Sequence, residues 1–269
     1  MRMQKSLAAA ACLLVLAGPA WGQAAKDAKA AYEPTVGQAG KDVIWVPTSQ
    51  ALIDRMLDMA ALTPRDRLVD LGSGDGRTVI TAAKRGAVAR GIEFNPDMVA
   101  LSKRAAQAEG VTGKATFEQA DIFESNFSDA TVVTLFLLPD LNVRLRPIIL
   151  DMKPGTRVVS NSFTMGDWEP DETANVADGC TGYCSALKWV VPAKVAGTWK
   201  MAGKELALTQ KYQMLEGTLR DGDTTARIID ARMNGTQIQF SVGKQRYVGQ
   251  VAGNAMQGTV DGATWTATR

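Results

Sequence analysis

The residues Leu68 to Gly76 read LVDLGSGDG. An apolar run breaks here into a glycine-rich turn, with an acid, Asp70, at the break. Asp70-Leu71-Gly72-Ser73-Gly74-Asp75-Gly76 fits the pattern D-x-G-x-G-x-G. Glycines let a ligand approach the backbone and let the chain adopt conformations that a Cβ resists. The turn opens a helix at Arg77, and the free N–H groups of a helix N-terminus favour a carboxylate or phosphate. A P-loop does not fit, because no Lys-Ser or Lys-Thr follows the glycines. A dinucleotide fingerprint does not fit either, because Arg77 stands where its third glycine belongs.

The tighter spacing that remains is the one used for S-adenosylmethionine. Two further acids support it. GIEFNP carries Glu93 about twenty residues beyond the turn, where an acid can take both ribose hydroxyls. Gln119-Ala120-Asp121-Ile122 follows the next apolar segment. Asp121 can accept from the adenine amino group there, and Ile122 can cover one face of the ring. Either acid alone could be a solvated carboxylate at a strand end. Three sites in order, each at the end of a successive strand, make the pattern specific.

The chain contains no histidine. Ser-His-Asp and Cys-His catalysis in their usual forms are therefore excluded. Chemistry must come from positioning, from carboxylates or from a reactive cofactor.

The elements that position these residues follow from periodicity. Ser49 can cap a helix whose apolar face is Leu52, Ile53, Met56, Leu57 and Met59 to Leu62. Strands are expected at Arg67–Leu71, Ala89–Phe94, Ala115–Gln119, Ala130–Leu138 and Thr156–Ser162. Helices are expected at Arg77–Arg85, Pro96–Glu109 and Leu141–Leu150. This alternation predicts an α/β fold with a doubly wound, Rossmann-like parallel sheet and helices on both faces. Strand C-terminal ends then share one edge. From Lys194 the helical period stops and short alternating segments follow, with Asn234-Gly235 as a hairpin signal. That part reads as a small antiparallel β-domain, a curled meander or partial barrel, whose Trp199 and Trp265 segments meet where the sheet closes.

The N-terminus reads as an export leader. Arg2 and Lys5 precede an apolar run from Leu7 to Ala17 that is too short to span a bilayer, and Gly18, Pro19, Ala20 and Gly22 offer a small-residue cleavage region. The expected division is a signal peptide over 1–24, a flexible lead-in over 25–41, a catalytic domain over 42–193 and the β-domain over 194–269. A retained membrane anchor is the alternative. Cleavage implies a periplasmic protein with no stable membrane insertion. Losing Arg2 and Lys5 takes the formal charge from +2 to zero, so no general attraction for nucleic acid is expected. Cleavage also leaves two cysteines, Cys180 and Cys184, in CTGYC. In an oxidising compartment they read as a disulfide, with two free thiols as the alternative. Two sulfurs without histidine do not complete a zinc site, and no metal is expected.

Over about Val43 to Val191 the chain resembles the class I S-adenosylmethionine-dependent methyltransferases. WVPTS, DLGSGDGR, GIEFNP, LLPDLN and SNSFTMGDWEPD look like the ATP-synthase c-subunit lysine methyltransferases and their bacterial relatives. The resemblance implies that Asp70, Gly72, Ser73, Gly74 and Gly76 hold the methionine end of the cofactor. It implies a lid of Trp45, Pro47 and Thr48, and a methyl-transfer channel lined by Leu138 and Pro139. Asp140 would orient an amine, Phe163 would help keep the channel dry, and Trp168 would cover the substrate or simply pack. The implied acceptor is an amine, on a protein lysine or a small molecule. The rival reading is an exported binding module that keeps the domain without turnover. The sequence sets no oligomeric state.

Overall fold

The sheet of the first domain is built on side chains that alternate between two apolar layers. β1 (Arg67–Leu71) sends Leu68 to one side and Val69 and Leu71 to the other. β4 (Val132–Leu135) and β5 (Arg157–Asn161) divide Val132 from Val133, and Val159 from Val158, in the same way. Buried on both faces, these strands must be covered twice. α1 (Gln50–Met59), α2 (Arg77–Lys84) and α3 (Pro96–Ala108) cover one face. α4 (Pro139–Leu150) covers the other with Leu145 and Ile149. Leu52, Ile53 and Leu57 of α1 are fully buried, and each contributes about 1.5–3 kcal/mol of transfer free energy. Ser49 caps α1 by accepting from Leu52 N at 3.3 Å, as its sequence position predicts.

The structure is a computed structural model that describes residues 32–269. The leader and the start of the lead-in lie outside the described residues. With β2 (Val88–Glu93) and β3 (Ala115–Gln119), the parallel strands take the order β3-β2-β1-β4-β5. The order reverses between β1 and β4, which opens a crevice beyond the strand C-termini.

Two sequence expectations change here. The sheet is not purely parallel. β6 (Glu172–Asn175) and β7 (Ser185–Val190) form a hairpin, and β7 pairs antiparallel with β5, from Arg157↔Val190 to Asn161↔Ala186. ETAN is short and polar, with no apolar run to announce a strand. The lead-in also takes a defined backbone path over residues 37–45. Residues 37–45 fold back as a tight hairpin: Gly37 N donates to Trp45 O at 2.8 Å, Trp45 N to Gln38 O at 2.9 Å, and Gly40 N to Val43 O at 2.9 Å. Composition suggested a coil, but local backbone bonds and contact with the domain hold it.

The second domain closes. β8 (Gly197–Met201), β9 (Lys204–Lys211), β10 (Met214–Asp221), β11 (Thr224–Arg227), β12 (Ile229–Asn234), β13 (Gln237–Val242), β14 (Gln245–Ala252), β15 (Ala255–Val260) and β16 (Ala263–Thr268) form one antiparallel sheet. β16 returns to β8, β9 pairs with β10, and β10 pairs with β12, so the ring has no gap. The barrel is filled by side chains, with Trp199, Phe240, Met233 and Ile238 at its centre. Val191 packs in the first core and Ala193 in the second, so the boundary falls at Pro192.

Candidate active site

A cavity of about 210 Å³ opens at the C-terminal ends of β1, β2, β3, β4 and β5. The glycine turn forms its floor. Gly74 sits at φ +53°, and a Cβ there would lie 2.7 Å from Trp45 Nε1. The indole therefore rests directly on Gly74, and Trp45 lines the cavity beside the turn. Gly74→Ala is expected to raise the Kd for S-adenosylmethionine about tenfold, through left-handed strain and displacement of the indole; calorimetric titration reads it. Thr48 is buried. Its hydroxyl accepts from Asn161 Nδ2 at 3.2 Å, and its carbonyl from the Arg77 guanidinium at 3.0 Å. Arg77 also pairs with Asp75 at 2.6 Å, so one guanidinium ties the turn to Thr48.

Asp70 is buried and accepts from Thr134 Oγ1 at 2.6 Å. Burial pushes its carboxyl up to about 7; the Thr134 bond opposes this, and the nearby charges of Glu93 and Asp75 add to it. Glu93 braces the turn. Its Oε2 accepts from Gly74 N and its Oε1 from Asn95 N, both at 2.9 Å. Glu93 lines the cavity, and each carboxylate oxygen can accept a second hydrogen bond. Asp121 Oδ1 accepts from Phe123 N at 2.9 Å, while Oδ2 takes the Lys41 ammonium at 2.5 Å. Lys41, at the tip of the 37–45 hairpin, also lies 4.7 Å from the centre of the Phe94 ring. No sequence signal marked it, because its polar Gly- and Ala-rich surroundings suggested a coil.

Four residues expected at the site lie elsewhere. Gly76 does not line the cavity. It caps α2 at φ +80°, and a Cβ would strike Phe117 and Ser102, so its task is close packing of helix on sheet. Leu138 lines the cavity, but Pro139 and Asp140 do not. Leu138 is the N-cap of α4, and the helix turns the two residues after it into solvent. Trp168 is fully buried against Trp189 and Tyr212 rather than over the cavity. Phe163 does line it, with Phe136 and Leu141. Tyr183, which the sequence reading missed, joins them from between Cys180 and Cys184, whose sulfurs are bonded.

The residues present fit S-adenosylmethionine. Asp70 and Glu93 line the cavity from the ends of β1 and β2: Asp70 offers a buried carboxylate to a cation, and Glu93 retains acceptor capacity for hydroxyls. Asp70 and the turn would hold the methionine end, Glu93 the ribose, and Asp121 with Ile122 the adenine.

Comparison with known proteins agrees. Residues 70–172 match the model of the ANTKMT methyltransferase domain. A protein-lysine N-methyltransferase of Saccharolobus islandicus is 42% identical over 140 residues, which cover 51% of this chain and 87% of that protein. The chain belongs to the ANTKMT family of class I S-adenosylmethionine-dependent methyltransferases. The human ATP synthase c-subunit lysine N-methyltransferase is 37% identical over 128 residues, 47% of this chain and 54% of that enzyme. A Salinibacter ruber structure described as an RNA methyltransferase with S-adenosyl-L-homocysteine is 44% identical, covers 56% of this chain and 96% of its own, and superposes with a TM-score of 0.53. Membership in this methyltransferase family sets aside the reading as a domain without turnover.

Proposed function

We propose that the enzyme methylates the ε-amine of a protein lysine, and that it does so as an exported, periplasmic protein. One observation carries the choice of acceptor. On the β4–β5 side the cavity is lined by Phe136, Leu137, Leu138, Leu141, Phe163 and Tyr183, with no carboxylate among them. An alkyl chain suits such a wall. An amine drawn into it is desolvated, which favours its neutral, nucleophilic form.

Bound S-adenosylmethionine supplies a methyl group on a sulfonium that leaves as neutral S-adenosylhomocysteine. The chain's own task is alignment and exclusion of water. Trp45 would cover the turn, Glu93 would hold the ribose, and the aromatic wall would orient the lone pair of the deprotonated amine toward the methyl group that the cofactor supplies.

Relatives named for protein lysine support this acceptor, although the Salinibacter protein is named for RNA. The near-zero net charge of the chain without its leader favours protein. Export is supported by the leader and by the Cys180–Cys184 bond, which an oxidising compartment would maintain.

The test incubates the enzyme with methyl-labelled cofactor and either envelope proteins or total RNA. Label recovered as methyl-lysine after acid hydrolysis is expected. Label confined to RNA would overturn the lysine reading. Fractionation of cells should find the protein in the periplasmic extract, and recovery only in the cytosol would sink the export reading.

A further inference from the structure

Three rings meet at the acceptor side of the cavity. The Phe136 and Phe163 centroids lie 6.0 Å apart, Phe136 and Tyr183 5.3 Å, and Phe163 and Tyr183 5.6 Å. The three planes are not parallel: Tyr183 is inclined at 64° and 51° to the other two. Phe136 follows β4 and Phe163 follows β5, so the sheet itself sets two of the rings. The third comes from the β6–β7 hairpin and is held differently.

Tyr183 is one of a few non-glycine residues at positive φ, here +56°. A tyrosine keeps that conformation only where its surroundings over-determine it, and such strain gathers at functional sites. What constrains it is the four-residue separation closed by Cys180–Cys184. Backbone bonds from Ser162 N to Ser185 O, and from Val176 N to Cys184 O, then anchor the loop beside β5. Tyr183 remains 48% exposed despite its two ring contacts, so one of its sides is free to meet a ligand.

We propose that Phe136, Phe163 and Tyr183 form a collar that receives the alkylammonium head of the acceptor, and that the Cys180–Cys184 disulfide holds the third ring in place. This rests on the amine reading above. With no carboxylate on this wall, ring faces are what meets the positive charge, and the ring quadrupole attracts a cation within about 6 Å. A methylated head is larger and less hydrated than the bare ammonium, so the collar holds partly methylated lysine for further rounds. The disulfide thereby serves acceptor recognition, while the cofactor half, on β1 to β3, does not depend on it.

The test uses the full enzyme loaded with S-adenosylhomocysteine. It is titrated calorimetrically with trimethyllysine amide and with the neutral isostere that carries a tert-butyl head. The cation is expected to bind roughly five- to thirtyfold more tightly than the isostere. Tyr183→Phe should keep that preference. Tyr183→Leu, which fills similar space without a ring, should reduce it to less than about twofold. The paired variant Cys180→Ser with Cys184→Ser should behave like Tyr183→Leu, with S-adenosylhomocysteine affinity unchanged throughout as the check on folding. Equal binding of cation and isostere, no binding of the cation, or a preference that survives in Tyr183→Leu would overturn the collar. A preference that survives in the paired serine variant would overturn the role given to the disulfide. These outcomes are separate from the acceptor question: an enzyme that labels no lysine yet prefers the cation would refute the function and leave the collar standing.

Discussion

Glu93→Ala is expected to weaken S-adenosylmethionine binding by about a hundredfold or more while leaving the fold intact. Hydrogen bonds to a charged group contribute about 1.5–3 kcal/mol each, and the ribose offers two hydroxyls to this carboxylate. The variant also withdraws the acceptors of Gly74 N and Asn95 N. Glu93 is only half-buried, so water can replace it at both N–H groups, and the cost falls mainly on the cofactor. Glu93→Gln should lie between the two, because its amide keeps one acceptor oxygen. Calorimetric titration with S-adenosylmethionine, and with NAD as a control, measures the loss. An unchanged Kd in Glu93→Ala would remove the ribose assignment.

The double role of Glu93 explains why the cofactor half of the site could be read from sequence. Asp70 and Glu93 lie at the C-terminal ends of β1 and β2, and Asp121 lies two residues beyond β3, strands whose register is fixed by buried alternation. Their places therefore follow once β1, β2 and β3 are placed, and those strands are signalled by local apolar runs. The acceptor half depends on long-range closure. Tyr183 reaches Phe136 across the β6–β7 hairpin, and neither strand of that hairpin has a clear pattern of its own. The one available signal was an aromatic residue inside CTGYC. Lys41 was hidden for a related reason: its hairpin has few apolar residues and is held by backbone bonds and by Asp121.

The errors around α4 have a local cause. LFLLPD reads as one long strand that runs into a helix. The strand ends at Leu135, and Phe136 to Leu138 leave the sheet to line the cavity. Pro139 then takes the first helical position, which its fixed φ favours, and this sends Asp140 outward. The apolar run thus serves both core and site. In the barrel, strand existence was legible from alternation and turns, and the expected meeting of the Trp199 and Trp265 segments is found in the pairing of β16 with β8. The branch by which β10 pairs with β9, β11 and β12 was not legible, because no local period encodes it.

Asp70 makes cofactor binding and stability respond to pH in opposite senses. Its carboxyl is raised from the ordinary value of 3.8 to about 7, mainly by burial. Between those values the folded chain holds a proton that the unfolded chain has lost, so the stability of the ligand-free protein falls as pH rises through that window. The loss is on the order of 4 kcal/mol. A bound cation favours the ionised form, so affinity for S-adenosylmethionine should rise about tenfold between pH 6 and pH 8 and then level off. The sulfonium does not titrate, and the cofactor's α-amine loses its proton only at about pH 8, which would weaken rather than strengthen a pairing with a carboxylate, so the rise has its source in the protein. Asp70→Asn should flatten the profile, bind on the order of a hundredfold more weakly at pH 8, and melt at a higher temperature than the parent at that pH. Calorimetry across pH gives the first two quantities and thermal unfolding of the ligand-free protein gives the third. A parent enzyme whose affinity is flat from pH 6 to pH 8 would mean that Asp70 does not face the cationic end of the cofactor, and the turn would then act through its backbone alone.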